Sequence, residues 1–177
     1  MAILKHKICL LGAFAVGKTS LVQRFVNDRF SEKYLTTVGV SVSQKLMPPL
    51  HGLKSGDPVQ HSFLIWDIAG LEKFDPMVMN YFRGASGALA VGDLTRPETI
   101  DDLATISDQF LSVNSNAALV TIANKCDLME NQAEAIPVFK KLAVDFESEL
   151  VLTSAKTGAR VETAFERLSR EIERRHG

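Results

Sequence analysis

The sequence predicts an α/β fold built on a mostly parallel sheet with one antiparallel edge strand. Three observations predict it. Continuous apolar runs at Ile8–Leu11, Phe63–Trp66, Ala88–Val91, Leu119–Ile122 and Leu150–Leu152 are bounded by turn residues, the pattern of strands buried on both faces. Amphipathic stretches of helical period lie between the later runs. One segment, 38–43, alternates apolar and small residues instead, as a half-buried strand does. Strands alternating with helices pair in parallel through right-handed crossovers.

Taken in order, the Ile8–Leu11 run leads through Gly12–Thr19 into an amphipathic stretch, Ser20–Val26. Val38, Val40 and Val42 then alternate with Gly39, Ser41 and Ser43, which suits a sheet edge antiparallel to the Phe63 run. Met47 to Pro58 reads as a connecting loop, because Pro48, Pro49, Gly52, Gly56 and Pro58 oppose a regular strand. Ile100, Leu103, Ser107 and Phe110 share a helix face imperfectly. Val161, Ala164, Phe165, Leu168 and Ile172 share one well. Around the latter, Glu166, Arg167, Arg170, Glu171 and Arg174 read as a solvated face.

Composition narrows the function. A chain of 177 residues is read as one domain, 1–177. Its net charge of -1, from 20 Lys+Arg against 21 Asp+Glu, creates no basic field for nucleic acid or an anionic membrane. No apolar run approaches the ~18–20 residues of a membrane span. The start lacks the pattern of a signal peptide. Residue 2 is Ala and the end carries no cysteine, so no direct lipid anchor is expected in this chain. Cys9 and Cys126 are too few for a disulfide framework, and His6, His51, His61 and His176 are scattered without metal spacing. A cytoplasmic setting is the expectation.

The chemistry lies in Gly12-Ala13-Phe14-Ala15-Val16-Gly17-Lys18-Thr19. A G-x-x-x-x-G-K-[ST] motif between a strand and a helix is a phosphate-binding loop. Its backbone N–H groups form an anion nest, and the helix start adds free N–H groups and a positive dipole end. Lys18 is placed to reach the β- and γ-phosphates, and the Thr19 hydroxyl to ligate Mg²⁺. The base is chosen elsewhere. Ala123-Asn124-Lys125-Cys126-Asp127-Leu128 follows the Leu119 run, at the carboxyl end of the sheet where ligands bind. A carboxylate at Asp127 can accept from both N1–H and the exocyclic amine of guanine; adenine lacks that donor pair. Thr153-Ser154-Ala155-Lys156 follows the next run. Either tetrapeptide alone could be a polar turn; the two at successive strand ends, behind a phosphate loop, reinforce one another.

These stretches, with Trp66-Asp67-Ile68-Ala69-Gly70, resemble the guanine-nucleotide motifs of the Ras superfamily of small GTPases. Tyr81-Phe82-Arg83-Gly84-Ala85 and Thr37-Val38-Gly39-Val40 look most like the Rab branch. The resemblance runs from about residue 5 to 175 and implies a six-stranded, mostly parallel sheet with one antiparallel edge strand and five flanking helices. It implies GTP/GDP and Mg²⁺ as ligands, held by Ala15, Val16, Gly17, Lys18, Thr19 and Ser20. Asn124 would tie the base loop to the phosphate loop, Lys125 would lie along the guanine plane, and Asp127 would read the base. Ser154, Ala155 and Lys156 would complete that pocket, the Ala155 N–H bonding the guanine carbonyl. Phe30 would pack against guanine, its alternative being a core phenylalanine. Thr19, Asp67 and, with GTP bound, Thr37 would hold the metal, and the Gly70 N–H would meet the γ-phosphate. Loss of that phosphate would release the segments around Thr37 and Gly70.

The sequence also departs from the family. Leu71 stands where the family usually carries the Gln that orients the attacking water, and leucine has no donor or acceptor. Around the reacting phosphate that leaves Lys18 and Thr37, with Glu72 or Lys73 as alternative water-positioning groups. Phe14 stands where a small residue is usual. It could crowd the γ-phosphate and exclude an activator's arginine, or point outward. The 47–60 loop is longer than usual. The expectation is a nucleotide switch that hydrolyses GTP slowly, or else a hydrolysis-deficient, constitutively GTP-bound module. Protein effectors and regulators would meet Thr37–Val42 and Trp66–Tyr81, as monomer or switch-mediated dimer. At least half of Val38, Val40, Trp66, Met77, Met79 and Tyr81 are expected to be buried.

Overall fold

The computed structural model describes residues 1–33, 37–52, 56–69, 76–131 and 134–176. Seven strands, β1 (Ala2–Leu11), β2 (Val40–Leu46), β3 (Leu50–His51), β4 (Pro58–Ile68), β5 (Gly87–Asp93), β6 (Ala118–Asn124) and β7 (Glu149–Leu152), form one sheet. Its order is β2-β4-β1-β5-β6-β7, with β3 also on β4. Only β2 and β3 run antiparallel to their neighbour; the other pairings are parallel. Helices α1 (Lys18–Asn27), α2 (Pro76–Phe82), α3 (Ile100–Val113), α4 (Ala135–Asp145) and α5 (Val161–His176) flank it.

The period-two rule sorts the strands' side chains into two cores. Ile8, Leu10, Leu89, Val91, Val120 and Ile122 pack on one face with Phe25 of α1 and Phe165 of α5. Their neighbours Cys9, Leu11, Ala88, Ala90, Leu119 and Ala123 pack on the other with Phe82, Phe110 and Phe139 of α2, α3 and α4. Every residue of β5 and β6 is buried. That is why those runs are continuously apolar. The Phe25 and Phe165 rings stack at 3.7 Å between α1 and α5. The uneven α3 face is closed by Ile106, which is buried beside Ile100, Leu103, Ser107 and Phe110. No described helix is long and apolar enough to cross a membrane.

Three details differ from the sequence pattern. β1 begins at Ala2, because its exposed first half pairs with the start of β4 from Ala2↔Val59 onward. The loop expected from Met47 to Pro58 contains β3, Leu50 and His51 pairing with Val59 and Pro58. Prolines at an edge and at the first position of a strand interrupt the ladder without forbidding it. None of Val38, Val40, Trp66, Met77, Met79 and Tyr81 is fully buried. Val38 precedes β2 and is 89% exposed, with Val42 and Met77 more than half exposed. β2 has a neighbour on one side only, so its valines lack the second layer that a central strand provides.

At the end of the sheet opposite the strands' carboxyl ends, His6 and His61 stack at 4.8 Å between centroids. His61 is fully buried and its Nε2 lies 3.3 Å from the Glu173 carboxylate of α5. His6 contacts the Ser86 hydroxyl at 3.1 Å. Burial first, then the positive charges of His61 and His176, push the His6 pKa down to about 4 against the weaker pull of Glu173. His61 is likewise lowered by burial, opposed by Glu173. Folded His6 therefore stays neutral while the unfolded chain takes up a proton near the ordinary histidine value of 6.5. The stabilisation is complete above that value and is lost as pH falls from about 6.5 toward 4. Denaturant unfolding at pH 7.5 and 5 is expected to show a loss of about 1 kcal/mol, because pH 5 titrates only part of the shift and the part-exposed His6 is screened by solvent. His6→Asn, which keeps a Ser86 partner, should flatten that dependence.

Candidate functional site

The loop between β1 and α1 is shaped by two glycines. Gly12 has φ 143°, and a Cβ there would lie 2.2 Å from the Val91 carbonyl oxygen. Gly17 has φ 103°, and a Cβ would lie 2.3 Å from Asn124 Nδ2. Ala15 also adopts the left-handed region, at φ 61°. Every carbonyl from Gly12 to Val16 is held by a side-chain donor. Lys18 Nζ donates to Gly12 O at 2.8 Å and Ala13 O at 2.9 Å. Arg96 Nη2 donates to Phe14 O at 2.9 Å. Lys125 Nζ donates to Ala15 O at 3.0 Å, and Asn124 Nδ2 to Val16 O at 3.0 Å. In a planar trans peptide the following N–H points the opposite way. With these carbonyls taken up by the protein's own donors, the amides of residues 13–17 face away from them and are available to an anion. Helix α1 begins there with no acidic residue in its first turn, leaving its positive end for an anion.

A cleft of about 240 Å³ opens on this loop, walled by Phe14, Ala15, Gly17–Ser20, Phe30–Lys33, Thr37, Asp67–Ala69, Asn124 and Lys125. Lys18 is 7% exposed within it. Burial, reinforced by the Arg96 charge and opposed by Asp67, lowers its pKa to about 8. At the foot of the cleft three oxygens converge. Thr19 Oγ1 donates to Asp67 Oδ2 at 2.6 Å and lies 2.5 Å from Thr37 Oγ1; Thr37 Oγ1 is 3.4 Å from the same carboxylate oxygen. The second oxygen, Asp67 Oδ1, is buried without a hydrogen-bond partner. A buried orphan acceptor beside two hydroxyls fits a hard, oxygen-seeking cation such as Mg²⁺. Among the described residues no trio of His, Cys, Asp or Glu suits a metal, so a softer ion has no rival site.

The base loop adjoins this cleft. Asn124 is 1% exposed; besides bonding Val16, it accepts from Thr153 Oγ1 at 3.1 Å. Asp127 Oδ1 accepts from Ser154 Oγ at 2.7 Å. Arg24 of α1 fixes the next turn, donating to Ala155 O at 2.9 Å and Lys156 O at 2.6 Å. Asp127, Ser154, Ala155 and Lys156 are therefore held together, on a shoulder beside the walled cleft. Asp127 is exposed. Phe30 is part-buried against the core and also walls the cleft. Phe14 is 58% exposed yet lines the mouth. Gly70 and Leu71 lie outside the described residues, as do Glu72 and Lys73.

Pattern reading passed over Asp93 and Arg96. The Asp93 side chain, at the carboxyl end of β5, is completely buried. It accepts from Lys125 Nζ at 2.7 Å, Arg96 Nε at 3.2 Å, and the Thr95 amide and hydroxyl at 2.8 and 2.6 Å. Burial alone would push its pKa up; the Lys125 and Thr95 hydrogen bonds and the Lys125 charge together outweigh burial and hold it below the ordinary value. The signal that marks Asn124, a polar residue closing an apolar strand at its carboxyl end, also marks Asp93.

A glycine-shaped loop whose carbonyls are taken up by side-chain donors, leading from β1 into the positive end of α1, is built for anions, and with its G-x-x-x-x-G-K-T sequence it defines a P-loop nucleotide-binding protein. Within that class the chain belongs to the Ras family, which matches residues 7–174, and it is a Rab-like small GTPase. It is 35% identical over 173 residues to Ras-related protein Rab-31 of Rattus norvegicus, covering 97% of this chain and 85% of the relative. Identity to Ras-related protein Rab-22A of Homo sapiens is also 35%, over 97% and 86% of the two chains. Ras-related protein RIC1 of Oryza sativa subsp. japonica is 34% identical over 96% of this chain and 81% of its own.

Proposed function

We propose that this protein is a guanine-nucleotide switch that binds GTP and GDP with Mg²⁺ and, unaided, hydrolyses GTP slowly. The observation that carries the binding half is the loop whose carbonyls are all taken up by side-chain donors, beside the Thr19–Thr37–Asp67 oxygens. In this reading the loop amides and Lys18 hold the phosphates, and Asn124, Lys125 and Asp127 hold guanine with the Ser154–Lys156 turn. Thr19, Thr37 and Asp67 would hold Mg²⁺, whose charge neutralises phosphate oxygens. Thr37 precedes the exposed Val38 and the edge strand β2. A segment tethered at Thr37 only while the γ-phosphate is present is a surface that partners can read in one state and not the other. Effectors and regulators would accordingly meet Thr37–Val42 and the exposed part of Trp66–Tyr81.

Slow turnover rests on Leu71 and on Phe14 at the mouth of the cleft. The same pair supports a second reading, a binding module kept loaded with GTP. Chromatography of nucleotide extracted from freshly purified protein, before and after incubation with Mg²⁺, separates the two. GTP declining gradually to GDP is the expected result. GTP that persists indicates the module, and adenine nucleotide overturns both.

A further inference from the structure

We infer that Arg96 is a positioning residue for the phosphate loop, acting through Phe14 and anchored by Asp93. Four of the five loop carbonyls are held by residues of the loop's own motif or the base loop. The fifth, that of Phe14, is held by Arg96 from the β5–α3 connection. The peptide it holds is the one whose N–H belongs to Ala15, at φ 61°. A left-handed alanine is strained. The peptide thus tends to turn over, which would aim the Phe14 carbonyl, a negative dipole end, at the bound phosphates. The Arg96 hydrogen bond opposes that flip.

Arg96 is itself pre-set. Its Nε meets buried Asp93. Its backbone N–H donates to Asp93 O at 3.0 Å, and its carbonyl accepts the Thr99 amide and hydroxyl. Asp93 also grips Lys125, which holds the neighbouring Ala15 carbonyl. One buried carboxylate therefore secures two successive peptides of the loop. Lys18 is drawn to its two carbonyls only by hydrogen bonds that a phosphate can replace. Arg96 does not line the cleft, so its hold on Phe14 persists when nucleotide enters.

This assignment rests on the guanine-nucleotide reading. The test follows release of a fluorescent GDP analogue, with Mg²⁺, from wild type, Arg96→Ala and Arg96→Lys, together with the preference for GDP over xanthosine diphosphate. A lost charge-assisted hydrogen bond is expected to speed release about tenfold in Arg96→Ala. Arg96→Lys, which can still bond the Phe14 carbonyl, should recover most of the loss, and base preference should not change in either. Unchanged release, no recovery with lysine, or base preference falling in step with release overturns the assignment. Wild type that fails to bind the probe overturns the nucleotide reading beneath it.

Discussion

Replacing Lys18 with alanine is expected to weaken GDP binding by about 10²–10⁴. The ammonium is 7% exposed and makes two hydrogen bonds to the loop's own carbonyls, a charge already desolvated at the site where phosphates arrive. Charge-assisted hydrogen bonds contribute about 1.5–3 kcal/mol each, and every 1.4 kcal/mol is about tenfold in affinity. The variant is also expected to lose a pH dependence. Burial holds Lys18 down to about 8 in the nucleotide-free protein; a bound polyanion raises that value. The complex then holds more protons than the free protein above pH 8, so wild-type affinity falls as pH rises through and beyond that point. Titration of a fluorescent GDP analogue at pH 7 and 9 reads both effects. Equal affinities at the two pH values in wild type would remove Lys18 from the phosphate site.

Leu71→Gln is expected to accelerate single-turnover GTP hydrolysis by about 10²–10³, or about 2.7–4 kcal/mol, the usual worth of one preorganised polar group. Leucine offers neither donor nor acceptor to a water. The effect should appear in the chemical step and leave GTP affinity unchanged, because the side chain addresses the attacking water and not the phosphate already bound. Equal and brisk rates in wild type and variant would show that another group, with Glu72 or Lys73 nearest in sequence, already orients that water. Equal and undetectable rates would favour the permanently loaded module.

Much of the site was legible before any coordinates because its chemistry is local. A motif such as Gly12 to Thr19 would bind an anion through its own backbone and the helix that follows, so spacing alone reveals it. The apolar runs of β5 and β6 declared burial on both faces. Less legible were features that depend on a partner distant in sequence. β3 forms because β4 presents Val59 and Pro58 to Leu50 and His51, against the local preference of the prolines. The valines of β2 alternate as a half-buried strand should, yet their exposure is decided by where the sheet ends.

The amino-acid order by itself determined the phosphate-loop motif, the Asn124–Asp127 motif proposed to hold the base, the parallel α/β plan and the presence of leucine at 71, since each depends on neighbouring residues or on a short period. Only the tertiary structure decided that Asp93 and Arg96 belong to the site, because Arg96 meets Phe14 across 82 positions of chain. The same holds for His6 and His61, two titratable groups far apart in sequence that become costly to charge only once the fold buries them, His61 beneath Glu173 of α5.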